Sequence, residues 1–473
     1  MKLNKKESFK NPIFRSLIKL AWPIVFANIL QSFYQLTDAF WVGRLGGSAV
    51  AAVSVSFPVI FLMISIGAGL AVAGSTLIAQ YVGAKNEKMV NLVAAQTLLM
   101  VIIVSLLIGA IGYIFAPKIL QTIGVAPDVF SHALGYIRVS FIGLVFMFSF
   151  VMFQSILRGI GQVTMPMYIV LGTVLLNLIL DPFFIFGSGL FAGHGVMGAG
   201  IATLITQGIS ALIGLVILFR GNYGIHLHFF DFKPDFIFMK KIFLLGLPAS
   251  IEQSARALGL VVMTFLITSF GTLAMASYGV GSNILQFVII PGMGISLAVS
   301  TLAGQNIGAG NLDRATEIAR LGAIISFTTL SVIGILSFVF APYFVAFFVP
   351  NDDAIISLGT TFVRIMSLSF GFMGIQLALT GVFRASGNMV TTMIIAFVSQ
   401  WVLLLPTAFI LSKHTSLEVN GLWWAFPISN ILISIITIAL YLKGDWKKKN
   451  LLDKNPLVKV VTDEIIAEEG IHA

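Results

Sequence analysis

The chain has 473 residues, of which 58% are hydrophobic and only 10% are Asp, Glu, Lys or Arg, with a net charge of +9. A soluble domain carries about 25% of those charged residues, and a chain this apolar lacks the polar groups to clothe a water-facing surface. The absence of cysteine removes disulfide frameworks, thiol catalysis and cysteine-ligated metal sites, and leaves the redox compartment unread.

The chain opens Met1-Lys-Leu-Asn-Lys-Lys, which is basic but is not followed by a short apolar core with a small-residue cleavage site. The first apolar block therefore reads as a permanent span and not as a signal peptide. Blocks of the length that crosses a hydrocarbon core as a helix then recur. They predict twelve spans, near 15–42, 49–81, 92–115, 130–157, 164–187, 196–219, 241–270, 274–306, 317–340, 356–383, 390–411 and 422–442. The fold class is an all-α polytopic membrane protein. Alternating the connections between two sides puts 22 of the 28 Lys and Arg on the side that holds both termini. Arg44, Lys118 and Lys413 lie opposite, and Arg138, Arg256 and Arg364 fall inside spans. That is the positive-inside pattern, so both termini are expected in the cytoplasm. The positive charge is topological and does not call for nucleic acid.

The chain repeats itself. Leu20-Ala-Trp-Pro returns as Leu245-Gly-Leu-Pro, and Ser75-Thr-Leu-Ile-Ala-Gln-Tyr-Val-Gly-Ala-Lys-Asn as Ser300-Thr-Leu-Ala-Gly-Gln-Asn-Ile-Gly-Ala-Gly-Asn. Tyr136-Ile-Arg matches Phe362-Val-Arg, and Leu157-Arg-Gly-Ile-Gly matches Phe383-Arg-Ala-Ser-Gly. The order and near-constant offset predict two parallel six-helix lobes, 1–219 and 241–442, joined by a basic cytoplasmic linker at 220–240. A charged cytoplasmic tail follows at 443–473. Parallel repeats with a substrate site at or near their interface are a common plan of secondary transporters.

Ionisable groups inside a bilayer are costly, by about 2.5–3.5 kcal/mol on insertion scales. Only Asp38, Asp181 and Glu252 among the acids fall within spans. Asp38 maps onto Met263 in the second repeat, and Asp181 onto the neighbourhood of Pro406 and Thr407, so these two acids are private to the first lobe. On the first span Asn28, Gln31, Tyr34, Gln35 and Asp38 recur at steps of three and four, which stacks them on one face. Thr173, Asn177 and Asp181 do so on the fifth, and the sixth offers Thr203 and Gln207. Asp38 and Asp181 then lie at matching depth in the outer half and are expected to share a hydrated pocket. Each also has a plainer reading. Asp38 is near Trp41 and Arg44 and suits a helix end reaching the headgroups, while Asp181 precedes Pro182 and suits the cap of a broken helix. Two carboxylates close together cannot both ionise cheaply, so the pair suits proton carriage. With the oxygens of Asn177 and Thr203 it also suits Na⁺. Pro23 removes a backbone hydrogen bond within the first span and favours a kink that could act as a hinge, although Pro248 repeats it. Glu252 and Arg256, at i and i+4, are expected to pair, with a second cation site at Glu252 as the alternative.

At these residues the chain resembles the multidrug and toxic compound extrusion family, most closely its DinF-like and archaeal branch. Asn177-Leu-Ile-Leu-Asp-Pro-Phe-Phe-Ile-Phe-Gly followed by Gly195-Val-Met-Gly-Ala-Gly-Ile-Ala-Thr carries the resemblance, with Gln80-Tyr-Val-Gly-Ala, Leu157-Arg-Gly-Ile-Gly and the first span. The resemblance covers essentially all twelve spans. It implies a V-shaped pair of lobes in the cell membrane and an antiporter that exports bulky, often cationic organic compounds against inward H⁺ or Na⁺. It further implies a functional monomer among membrane lipids that needs no cofactor beyond the coupling ion. It assigns the cation site to Asp38, Asn177, Asp181 and Thr203, and the lining of the substrate cavity to Gln31, Tyr34 and Gln154. Ile160 stands where related archaeal members tend to have Glu, so an acidic relay at that turn is not expected. The rival readings are a lipid or lipid-linked oligosaccharide flippase, which needs basic residues for an anionic head group, and an intramembrane enzyme. Against the latter, none of the six His sits mid-span beside a carboxylate.

Overall fold

A computed structural model of the chain describes residues 12–188, 191–350, 352–448 and 451–452. The amino-terminal segment and most of the predicted carboxy-terminal tail lie outside them. Nearly every described residue is helical, because a backbone without water must satisfy its polar groups within its own segment. The first six helices are α1 (Pro12–Gly43), α2 (Gly47–Gly83), α3 (Glu87–Ile123), α4 (Pro127–Gly159), α5 (Thr164–Phe186) and α6 (Val196–Arg220). The second six crossings are α7 (Phe236–Thr268), α8 (Thr272–Gly308), α9 (Leu312–Phe348), the pair α10 (Asp353–Ser367) and α11 (Phe370–Ala385), α12 (Met389–Lys413) and α13 (Val419–Lys443). A short antiparallel ribbon, β1 (Gly187–Ser188) with β2 (Phe191–Ala192), closes the turn between α5 and α6.

Among the described residues, eleven helices are long and apolar enough to cross a membrane, and α10 with α11 forms a twelfth crossing bent by 51°. The sequence predicts a single span there, near 356–383, and does not show the bend. The difference comes from serine. Ser367 and Ser369 turn their hydroxyls back onto the carbonyls of Arg364 and Met366, at 2.7 and 3.0 Å, and Ser369 also accepts from Asn430. Such back-bonding competes with the helical ladder and bends it. In the first repeat the matching stretch of α4, Phe141-Ile-Gly, has no hydroxyls and runs unbroken. A second irregularity, the π-helical turn Val398–Leu404 within α12, precedes Pro406, whose ring and missing N–H disturb the preceding turn.

The two lobes exchange helix halves. The start of α1 (Ile13, Leu17, Leu20, Ala21, Ile24) packs in a core with α8, α9, α11 and α12, whereas Leu30 and Val42 belong to the core of α2–α6. Helix α7 does the reverse. Phe238 and Ile242 join the first-lobe core, and Met263 and Ile267 join the second. The passage falls between Ile24 and Leu30 on α1, just beyond Pro23, and between Ile242 and Met263 on α7, the stretch that holds Pro248. Small residues permit close crossings there, as in other membrane helix pairs. Gly69 of α2 lies against the backbone of Ser250 on α7, and its image Gly294 on α8 lies against Val25 on α1. Ser250 also donates to the carbonyl of Ile66 at 3.1 Å.

The linker is tied to the first lobe by two side chains of α3: Asn91 accepts from the His226 amide at 3.2 Å, and Gln96 makes three bonds. Gln96 of α3 is fully buried, donates to the carbonyls of Asp231 and Lys233 at 2.7 Å each and accepts from the Asp235 amide at 3.0 Å. Gln96→Ala is expected to leave these groups unpaired, to cost about 1–3 kcal/mol and to speed proteolytic cleavage between 221 and 235. Unchanged cleavage would show that the Asn91 bond and apolar contacts suffice to hold the linker.

Candidate functional site

Helices α1, α5 and α6 meet in the half of the first lobe that lies away from the basic connections. Helix α1 contributes its polar face because its other face is apolar and is taken up by neighbouring helices or lipid. Asp38 of α1 and Asp181 of α5 face each other at hydrogen-bonding range, with Asn177 within reach of both. Asn177 donates to Asp181 Oδ1 at 2.9 Å, and Thr203 of α6 donates to Asp38 Oδ2 at 3.4 Å. Asp181 and Asn177 are fully buried. All four residues of the predicted cation site thus come together.

Their remaining oxygens decide what the site can hold. Asp38 Oδ1, Asn177 Oδ1 and Asp181 Oδ2 are buried without a hydrogen-bond partner among the described residues. All three are acceptors, and a buried unsatisfied polar group costs about 1–3 kcal/mol, more if charged. Two carboxylate oxygens turned toward each other repel unless a positive charge lies between them. A proton shared by the two acids satisfies the pair. The oxygen-only donor set, with the Thr203 hydroxyl and the Asn177 amide, also fits a small hard cation of single charge.

A hydroxyl network surrounds the acids. Tyr34, predicted to line the substrate cavity, is buried and shares a 2.8 Å hydrogen bond with Thr206 of α6. It therefore links a cavity position to the helix that carries Thr203. Thr173 and Ser210 share a 2.6 Å bond one layer along the same helices. Gln31 and Gln154 are half-buried, and among the described residues no hydrogen bond ties them to the acids. Tyr136 of α4 completes the surroundings. It lies within electrostatic range of both carboxylates, with its ring against Gly200 of α6. Sequence reasoning used Tyr136 only to align the repeats. The signal for it was nevertheless present, since its partner in the second lobe is Phe362, so the hydroxyl is as private to the first lobe as the acids.

The second lobe shows what the same fold does without acids. Its matching region is filled by Tyr278, Phe362, Trp423 and Phe426, with Phe362 and Trp423 fully buried and their ring centroids 4.4 Å apart. Met263, the counterpart of Asp38, is likewise fully buried.

Glu252 has a different neighbour from the one expected. Arg256 does approach it, at 3.4 Å, but the short contact of 2.6 Å comes from Arg384 at the end of α11. The helix spacing that suggested Arg256 is met, yet the guanidinium 132 residues away has the better geometry. With two guanidinium groups on its Oε1, Glu252 is a charge-neutralised buried anchor, and its Oε2 is buried without a hydrogen-bond partner among the described residues. The repeated arginines within spans are also engaged. Arg364 donates to the Phe338 carbonyl at 3.2 Å and lies over that ring, and Arg138 lies over Tyr113, the image of Phe338, 5.0 Å from its centroid.

Comparison with known proteins accords with this architecture. The MatE family profile matches residues 23–183 and 248–410, once in each lobe. The probable multidrug resistance protein YoeA of Bacillus subtilis is 31% identical over 449 residues, covering 93% of this chain and 96% of its own. The probable multidrug resistance protein NorM of Thermotoga maritima is 28% identical over 442 residues, covering 93% and 95%. Among solved structures, a multidrug resistance MATE family transporter of the MOP superfamily in an outward-facing conformation superposes with a TM-score of 0.87. It is 23% identical and covers 95% of this chain and all of its own.

Proposed function

Because this chain belongs to the multidrug and toxic compound extrusion family, we propose that it is a secondary antiporter of the cell membrane. It exports bulky, often cationic organic compounds in exchange for H⁺ or Na⁺, with both termini in the cytoplasm. The observation that carries this reading is that three buried oxygens, one each on the neighbouring side chains of Asp38, Asn177 and Asp181, have no hydrogen-bond partner among the described residues. The cation is the coupling substrate, and these residues with Thr203 hold it.

Coupling follows from α1. Its outer half bears Asp38 and Tyr34, and its other half is packed in the second lobe. A cation between Asp38 and Asp181 removes their repulsion and draws α1 toward α5 and α6. The displacement is passed through Pro23 to the opposite lobe. Gln31 and Tyr34 border the substrate cavity on α1 itself, opposite Gln154 of α4, so ion and cargo favour different placements of α1, as antiport demands. The flippase alternative loses its ground, because Arg256 and Arg384 are engaged by Glu252 and Arg364 by a carbonyl.

The test is efflux of a fluorescent organic cation from proteoliposomes under a pH gradient or a Na⁺ gradient imposed separately. One gradient is expected to drive efflux at least tenfold above the leak, and that gradient names the ion. Efflux under neither removes the antiport reading for that cargo.

A further inference from the structure

The repeated segment that ends α2 and α8 has no part in the cation site, yet it forms the tightest contact between the lobes. Gln80 of α2 is fully buried and donates to the carbonyl of Ala385 at 2.8 Å. Its image in the repeat, Gln305 of α8, donates to the carbonyl of Gly159 at 3.0 Å. Gly159 and Ala385 are themselves images, the last residues of α4 and α11 in the turns Arg158-Gly-Ile-Gly and Arg384-Ala-Ser-Gly. Each lobe thus extends one amide to the helix end of the other. Between these bonds the backbones touch. A Cβ on Gly83 would lie 1.8 Å from the Gln305 carbonyl oxygen, and one on Gly308 would lie 1.9 Å from that of Gln80. Neither position admits a side chain while the lobes are closed here. The contact lies at the end of the molecule that carries the Lys- and Arg-rich connections.

One feature suits this seam to opening, and a further segment meets it. A helix's last carbonyls have no partner in their own ladder, so water can replace a glutamine there. In addition, the segment after α13 reaches the same point. The Leu451 amide donates to Gln80 Oε1 at 3.1 Å, its carbonyl accepts from Lys241 at 2.6 Å, and its side chain lies against Gly387.

We infer that the reciprocal bonds of Gln80 and Gln305, seated on Gly83 and Gly308, form the cytoplasmic gate of the transport cycle, closed in this structure. The inference rests on the alternating-access reading above and extends it. Gln80 and Gln305 are positioning residues: they touch neither ion nor cargo, and they set the balance between the two access states.

The chain has no cysteine, so an inserted pair reports alone. The Ala79 Cβ lies 3.1 Å from the Cβ that Gly304 would carry, slightly inside the usual disulfide separation of about 3.5–4.5 Å. In an A79C/G304C double variant, oxidation is expected to join the pair, lower efflux at least tenfold and be reversed by a thiol reductant. Full export with the bond confirmed by mass would overturn the gate. A second readout needs no transport. Spin labels at Ala84→Cys and Ala309→Cys, both exposed and repeat-related, are expected to show a short distance and a longer minor one. Q80A/Q305A should raise the longer population at least threefold. A single distance unchanged by Q80A/Q305A, by pH between 6 and 8 and by Na⁺ would also overturn the gate. If wild type exports nothing, the function reading fails, and the spin-label distances alone decide whether the seam opens.

Discussion

Asp181→Asn is expected to reduce gradient-driven efflux at least tenfold while leaving the protein folded. Asn is nearly isosteric with Asp and keeps an acceptor for the 2.9 Å bond from Asn177. What it removes is the charge that makes Asp38 and Asp181 repel when empty and attract when a cation arrives. With that gone, α1 has no reason to change position, and the gradient cannot be felt. The second lobe indicates that the architecture survives the loss, because it builds the same crossings with Met263 where the first has Asp38. Asp38→Asn should show the same defect, and the double variant should be little worse than either, since both acids act as one site. Thermal unfolding within a few degrees of wild type, measured beside efflux, separates lost coupling from lost structure. A variant that transports like wild type would remove the acid pair from the mechanism whatever the family.

Glu252→Gln is expected to show the opposite profile, a large stability loss of about 3–5 kcal/mol, the usual cost of removing one partner of a buried ion pair. Glu252 is fully buried, and the change strands Arg384 and Arg256 without a counter-charge. Arg384→Met should cost less, because Glu252 still has Arg256 at 3.4 Å and can draw it closer. The combination Glu252→Leu with Arg384→Met should recover much of the loss, as apolar replacement of both partners often does. Melting of the purified protein in detergent ranks the three variants against wild type. The gradient dependence of whatever protein survives should be that of wild type, because Glu252 lies outside the acid pair. A Glu252→Gln protein that melts normally but loses ion coupling would make Glu252 a second cation site instead.

The two predictions differ in how far the residues disclosed them. Asp38 and Asp181 were legible because three local signals coincided: acids in apolar spans, polar neighbours at helical spacing, and apolar residues at the repeat's matching positions. Glu252 and Arg256 satisfied the local rule as well, and the rule found the weaker partner. Tyr136 stood in a repeat alignment without suggesting a role. Gln80 and Gln305 were visible as a repeat, but nothing in their spacing says that each bonds to the other lobe.

By itself, the sequence determined the number of crossings, their approximate ends, the expected sidedness and the duplication. These follow from quantities that add up along the chain. Each residue's cost of leaving water is nearly independent of its distant neighbours, the bilayer fixes how many must be apolar in a row, and basic residues report the side. The bend between α10 and α11, the passage of α1 and α7 between the two cores, the Glu252–Arg384 pair and the seam of Gln80 and Gln305 were decided only by the tertiary structure. Each depends on the tilt and rotation of a helix about its own axis, which packing against neighbours sets and hydrophobic length does not. Small residues at Gly69, Gly83, Gly294 and Gly308 let backbones approach, and only the assembled bundle shows which backbone each of them meets.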